Sequence, residues 1–269
     1  MKPILSIIIP CYNTESTLES TLQSVIKQEF QNWEAIIVND GSQDNLEIIA
    51  LKYVEKDNRF SYLKKENGGL GSARNYGIKK AQGQYILPLD SDNLVVADFA
   101  KKAISVFENN SEIGVVHGNA AYFGEKSGVW NVNQFDITKM LINNYIDACA
   151  IFKKELWQKV KGYDEQMPFQ GNEDWDFWLS LGKIDTKFYK LNEVTFHYFI
   201  SSDSMIRSFT TQMRTENRDY LVKKHSLLYY ETYKNEFDTF ETIKYQHSSK
   251  KFILNLFTST FFRFKIFKL

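Results

Sequence analysis

Cysteine is scarce in this chain. Cys11 and Cys149 are the two present, too few for a disulfide framework and without the spacing of a zinc site. Each lies in an apolar run, so both read as buried free thiols. Long apolar runs are missing as well. No uncharged stretch approaches the ~20 residues that span a bilayer. Met1-Lys2-Pro3 leads only into the short segment Ile4 to Ile9, without a signal-peptide core or cleavage site. The expectation is a cytoplasmic protein. Net charge is lacking too, because 33 Lys and Arg balance 33 Asp and Glu. That balance argues against a nucleic-acid coat protein.

What is present describes an ordinary folded chain. Its 269 residues suit one large domain or a domain with an appendage, and 43% hydrophobic with 25% charged residues excludes wholesale disorder. Aromatic residues reach 15%, which suits either a dense core or a site that stacks flat ligands. Charge is unevenly placed. After Glu241 there is no acidic residue, while Lys244, Lys250, Lys251, Arg263, Lys265 and Lys268 give six positive charges, so the residues up to Glu241 carry a net −6.

The first half alternates strand-like and helix-like segments. Ile4–Ile9, Ala35–Val38, Phe60–Leu63 and Tyr85–Leu89 read as strands, mostly continuous apolar runs covered on both faces. Between them, Leu18, Leu22, Val25 and Ile26 follow helical spacing with Asn13 and Thr14 available as caps. Leu46, Ile49, Ala50 and Tyr53 mark a second helix, and Ser72 to Ala81 a third. Such β-α repeats predict an α/β fold with a mostly parallel, doubly wound sheet, whose ligands bind beyond the carboxyl ends of the strands. Later, Val115–His117 and Ala120–Phe123 read as strands around a Gly118-Asn119 turn, Glu173 to Leu181 as a short helix, and Val194 to Phe199 as a strand. Residues 211–240 read as helical. The expected organisation is a domain over 1–210 and a helical C-terminal extension over 211–269.

Four clusters fall at the expected strand ends or helix starts: Asn39-Asp40-Gly41-Ser42, Asn67 through Asn75, Asp90-Ser91-Asp92-Asn93, and Glu173-Asp174 after Gly171-Asn172. An Asp-Gly-Ser sequence alone marks a turn, and a lone Asp-x-Asp a pair of caps. In this order, together with Ser6 through Asn13 and His197-Tyr198, they resemble the family 2 inverting glycosyltransferases of the GT-A fold, over about residues 3–208. The resemblance implies a GT-A, Rossmann-like domain and metal-dependent transfer of a sugar from a nucleotide-sugar donor, a UDP-sugar by expectation, to a glycan or lipid-linked acceptor in polysaccharide synthesis.

It also implies roles. The matching Asp40 reads the base, Asp90 reaches the ribose, and Asp92 and His197 bind a divalent cation, Mn²⁺ or Mg²⁺. Pro10, Tyr12 and Asn13 form a first loop in which Tyr12 can stack on the base. Asn67, Gly69 and Ser91 lie in the nucleotide-binding loops, and Arg74 offers a cation near base or phosphate, its alternative being a solvated helix face. Carboxylates suit Mg²⁺ or Mn²⁺, and an imidazole ligand tilts the choice toward Mn²⁺. His117, His225 and His247 match no such position. Asp174 is the candidate general base, because inverting transfer needs a carboxylate to take the proton of the attacking hydroxyl. Glu173 and Trp178 are candidates for the acceptor side, Trp178 as a sugar platform, although Trp175, Phe177, Trp178 and Leu181 read equally as core. Many relatives place a basic residue after His-Tyr. Here Phe199-Ile200 follow, and Arg207 is the nearest cation for the diphosphate.

Between Lys250 and Leu269, Ile253, Leu256, Phe257, Phe261 and Phe264 recur at helical spacing among basic residues. Residues 245–269 therefore read as a segment for an anionic membrane surface, for packing on its own domain or for a homo-oligomer contact. Two other functions compete: a nucleotidyltransferase, whose basic triphosphate loop Pro10–Asn13 does not resemble, and a non-catalytic nucleotide-sugar-binding scaffold. An NAD-binding domain is disfavoured because no G-x-G-x-x-G follows the first strand.

Overall fold

The computed structural model describes residues 2–201 and 209–267. In chain order the elements are β1 Leu5–Cys11, α1 Glu15–Ile26, β2 Trp33–Asp40, α2 Leu46–Lys56, β3 Phe60–Lys65, α3 Leu70–Lys80, β4 Tyr85–Pro88, β5 Leu94–Val95 and α4 Phe99–Asn109. They continue with β6 Ile113–Gly124, β7 Gly128–Trp130, α5 Ile137–Ile142, β8 Ile151–Lys153, α6 Lys154–Lys159, α7 Glu173–Lys183 and β9 Lys187–Ile200. Three helices follow, α8 Thr211–Lys224, α9 Ser226–Ser248 and α10 Lys250–Phe262. Two compact units result, residues 1–221 and 222–269, with the division inside α8.

In the first unit the strands run β3-β2-β1-β4-β8-β6-β9-β5, with β7 added beside β6. The pairs β3–β2, β2–β1, β1–β4 and β6–β9 are parallel, whereas β8 runs antiparallel to both β4 and β6. Strand order reverses where β1 meets β4, and at such a switch point the connecting helices leave on opposite faces and open a crevice.

Alternation explains how the sheet is covered. Leu5, Ile7 and Ile9 of β1, with Ala35 and Ile37 of β2, join one core with Leu18, Leu22 and Val25 of α1, Leu46 and Ala50 of α2, and Phe99, Ala103 and Phe107 of α4. Ile8 and Val38 face the other way, against α3. The approach there is close, since a Cβ on Gly77 would stand 2.6 Å from a methyl of Ile8. Each fully buried Ile or Leu contributes about 1.5–3 kcal/mol, so β1, buried along its whole length, anchors the fold and fixes its carboxyl end as a rigid rim.

Two local expectations differ from the structure. Residues 113–124 form one long strand rather than a hairpin, and the step at Gly118-Asn119 is a register irregularity against β9. Pairing with β8 at Val115 and Val116, and with β9 from Ile113 to Gly124, carries the strand through a sequence that alone favours a turn. At the start of α1 neither Asn13 nor Thr14 caps the helix through its side chain. Asp44 accepts the Glu15 N–H at 2.7 Å, and Glu15 in turn accepts the Asn45 N–H at 3.1 Å beside the start of α2. Two helix N-termini thus satisfy each other's orphan donors.

The second unit pairs α9 and α10. Among the described residues no helix is long and apolar enough to cross a membrane.

Candidate active site

At the carboxyl rim of β1, β2 and β4 lies a cavity of about 380 Å³, lined by Pro10, Tyr12, Asp40, Asn67 and Gly69 together with Asp90, Ser91, Asp92, Asp147, Asp174 and Tyr198. Arg74 and Glu173 close its floor. The four sequence clusters therefore converge, brought to one edge by the parallel strands.

Asp40 ends β2 and is buried. Its carboxylate accepts from Lys65 Nζ at 2.7 Å, from the Gly68 N–H at 3.0 Å and from the Gly69 N–H at 2.8 Å. A carboxylate offers about four acceptor sites, so about one remains for a ligand. Asn67 donates to the Asp40 carbonyl at 2.9 Å. Gly69 has φ +84° and a Cβ there would collide with the Gln170 amide, which explains why no side chain fits where the loop turns into α3. Tyr12 is half exposed at the cavity mouth, its ring open to a flat ligand.

Arg74 departs from expectation. It is 1% exposed and donates to Asp90 at 2.6 Å and to Glu173 at 2.5 Å. It is neither a solvated cation nor a free one, because both terminal nitrogens hold the acids of two other elements. Burial works against its charge, but Asp90 and Glu173 more than restore it and drive its pKa well above the ordinary value. Glu173 is correspondingly no acceptor contact: it is 2% exposed and also takes the Gly171 N–H at 2.8 Å.

Asp174, one residue on, does face the cavity. Asn144 donates to one of its oxygens at 2.9 Å and the Trp175 N–H to the other at 2.8 Å, so the carboxylate is fixed in orientation. Burial, then Glu173, push its pKa up to about 7, against the pull of Arg74 and the two donors. Asp92 also faces the cavity, and burial followed by Asp90 raises it to about 7.

Three further expectations are corrected. Trp178 is wholly buried, donates Nε1 to the Ile146 carbonyl at 2.9 Å and packs against Phe152, Phe177 and Phe188. One turn from Asp174 along α7 points into the core, so it is no sugar platform. Asn13 does not line the cavity. Its N–H donates to Ser42 at 3.1 Å and its side-chain oxygen accepts the Gln43 N–H at 2.8 Å, which ties the loop after β1 to the loop after β2. His197 does not line it either, and sits edge-on to Phe123 in β9. Among the described residues no group of three or more His, Cys, Asp or Glu side chains stands at metal-holding distances. Arg207 lies outside the described residues.

Asp147 and Asn144 escaped the sequence reading. Asp147 precedes β8, which runs antiparallel, so the start of that strand lies at the same rim as the ends of its neighbours. The signal was an acid next to an apolar run, with direction unknown. Asp147 accepts the Cys149 N–H at 2.8 Å. Burial and the nearby Asp90 raise its pKa well above the carboxylate range, with Asp174 adding to the effect.

Asp92 and Asp147 offer the oxygen donors that a hard divalent cation takes, in a cavity whose wall holds six acidic side chains, Asp40, Asp90, Asp92, Asp147, Glu173 and Asp174, against the single guanidinium of Arg74. Lys65 neutralises Asp40 from behind and Arg74 is shared by two acids.

The glycosyl transferase family 2 profile matches residues 6–172. An uncharacterized glycosyltransferase of Rickettsia typhi is 31% identical over 199 residues, 70% of this chain and 61% of its own. The minor teichoic acid biosynthesis protein GgaB of Bacillus subtilis is 32% identical over 235 residues, 83% of this chain and 25% of its own. Residues 1–349 of Staphylococcus aureus TarS, crystallised with UDP-GlcNAc, superimpose with a TM-score of 0.65 at 20% identity, over 80% of this chain and 66% of that one. A mannosyltransferase of Pyrobaculum calidifontis, in complex with GDP-Man and Mn²⁺, gives a TM-score of 0.59 at 16% identity, over 76% and 59%. At such identities the structural likeness establishes the GT-A fold. The chain spans less than two thirds of the length of both curated relatives.

Proposed function

The chain belongs to glycosyl transferase family 2, and from that premise we propose that it moves a sugar, with inversion, from a UDP-sugar to a hydroxyl of a glycan or lipid-linked glycan. The observation that carries this reading is the cavity. Asp40, at the end of β2, and Asp90 and Asp92, after β4, stand on either side of β1 and line the cavity together with Tyr12 and Asp174, so a base and a sugar-bearing diphosphate would lie across the rim of β1 and β4. The UDP and UDP-GlcNAc complexes of TarS support a uridine donor, and the teichoic acid biosynthesis in the name of GgaB supports a role in polymer synthesis.

In this reading Asp40 uses its remaining acceptor site on a base N–H, Tyr12 covers the base, and Pro10, Asn67, Gly69 and Ser91 shape the nucleotide end. Asp90, steadied by Arg74, accepts from the ribose. Asp92, with Asp147 beside it in the cavity wall, would hold Mn²⁺ or Mg²⁺, which would supply charge neutralisation to the diphosphate. Asp174 takes the proton of the acceptor hydroxyl as its oxygen bonds to the anomeric carbon. The bond from that carbon to the diphosphate oxygen breaks, and its electron pair leaves with the phosphate. Asn144 and the Trp175 N–H keep the accepting oxygen aimed.

Calorimetric titration of UDP, GDP, CDP and dTDP into the protein, with and without Mn²⁺, tests the reading. Tight binding of UDP that requires the cation is expected. Preference for another diphosphate would remove the role given to Asp40, and binding of none by folded protein would overturn the nucleotide-sugar reading and favour an assembly scaffold.

A further inference from the structure

Helix α10 is built inside out. Its buried positions are Asn255 and Thr258, 4% and 5% exposed, while Ile253, Leu254, Leu256 and Phe257 are 42–52% exposed. The polar side is occupied for a structural reason. After α10 the chain reverses at Arg263, whose φ of +62° is left-handed, and folds back on the helix. Asn255 accepts the N–H groups of Ile266 and Phe267 at 2.8 Å each and donates to the Phe267 carbonyl at 2.7 Å. The amide thus serves three backbone groups of the returning segment. This commits the polar side inward and leaves the apolar side outward, with Phe264 and Ile266 also half exposed.

A soluble helix gains stability by the opposite arrangement, so the outward face is made for an apolar medium. The charges around it specify which one. Lys250, Lys251, Arg263 and Lys265 are all exposed, and no acidic residue follows Glu241. Two copies of this face would bring like charges together, whereas a bilayer with anionic headgroups offers both the acyl boundary and the complementary charge. Helix α9 exposes Tyr233, Phe237 and Phe240 but also carries Glu231, Glu236, Asp238 and Glu241, so it is the poorer partner for such a surface. The 13 residues of α10 measure about 20 Å at 1.5 Å per residue, too short to cross a hydrocarbon core and suited to lying in the interface.

We propose that α10, with the segment returning to Phe267, is a peripheral anchor for anionic membrane surfaces, its Ile253, Leu254, Leu256 and Phe257 face in the acyl boundary and its lysines and arginine among the headgroups.

The test is co-sedimentation of the full chain with vesicles of phosphatidylcholine alone and with one third phosphatidylglycerol. Binding is expected to the anionic vesicles and to fall with salt. Lys250→Ala with Lys251→Ala should weaken it about thirty-fold, at about five-fold per cation. Leu254→Glu with Leu256→Glu, both at exposed positions, should abolish it while the thermal transition stays unchanged. Equal binding to neutral vesicles would overturn the electrostatic part, and absence of binding to either would overturn the whole. A dimer by light scattering that Leu254→Glu with Leu256→Glu dissociates, without vesicle binding, would assign the face to a second copy instead. None of these outcomes depends on the glycosyl transfer reading.

Discussion

Arg74→Met removes the one cation that two buried acids share. Glu173 is 2% exposed and would keep only the Gly171 N–H, whereas Asp90, 28% exposed at its side chain, can turn to water. The cost therefore falls mainly on Glu173. Removing one partner of a buried pair typically costs about 3–5 kcal/mol, because the remaining charge must stay desolvated or take up a proton. For a folding unit of 221 residues, about 2–4 °C of Tm is lost per kcal/mol, so the midpoint should fall by about 6–20 °C. Methionine fills similar space, which keeps a cavity term out of the difference.

The cycle with Glu173→Gln separates this from general damage. If the pair is coupled as the 2.5 Å contact indicates, Arg74→Met/Glu173→Gln should lose at least 1 kcal/mol less than the two single losses combined, a non-additivity well outside the ~0.3–0.5 kcal/mol of independent sites. Calorimetric melts of the four proteins measure it. UDP affinity should fall with Arg74→Met as Asp90 loses its anchor, and Glu173→Gln should leave affinity less affected. Additive losses, or a Tm within about 2 °C of the parent with a large loss of UDP affinity, would show that Arg74 acts on the nucleotide directly and would refute the positioning argument.

Asp174→Asn should leave calorimetric UDP binding intact and stop sugar transfer; transfer at the parental rate would remove Asp174 as the base. In the parent, a base with its pKa near 7 must be ionised to act, so kcat/KM should rise with pH through about 7 and fall about tenfold per unit below it, and a profile flat from pH 5 to 8 would refute the assignment. His117 supplies a stability test away from the site. It is buried with neither ring nitrogen hydrogen-bonded, and burial holds its pKa down to about 3. The unfolded chain takes up that proton near pH 6.5 and the folded one does not, so stability is full above about 6.5 and is lost as pH falls from there toward 3. At pH 5 the loss from this residue alone is about 2 kcal/mol relative to pH 7. Urea unfolding of His117→Leu should lack that part of the pH dependence, and identical pH slopes in the two proteins would refute it.

The sequence made the parallel half of the sheet legible because its chemistry is local. A continuous apolar run that ends in an acid, as at Val38-Asn39-Asp40 and Leu89-Asp90, states both a buried strand and the end at which a ligand binds. Strand direction supplied the rest of the site and is not written locally. Asp147 stands before an apolar run rather than after one, and only the antiparallel course of β8 carries it to the rim. The same limit accounts for Trp178. Position i+4 from a cavity-facing residue suggests a shared face, but α7 is wedged between the sheet and the 140–148 segment, where Ile146 takes the indole N–H, so one turn is enough to pass from solvent to core. Arg74 was read as a cation at the site and does line the cavity, but its two acid partners come from distant segments and were not legible. The acids at strand ends are thus sufficient to locate the cavity, and which of them touch a ligand depends on partners 16 to 99 residues away. Substitutions of those partners, more than of the acids themselves, will show how much of the site's charge is committed to holding its own shape.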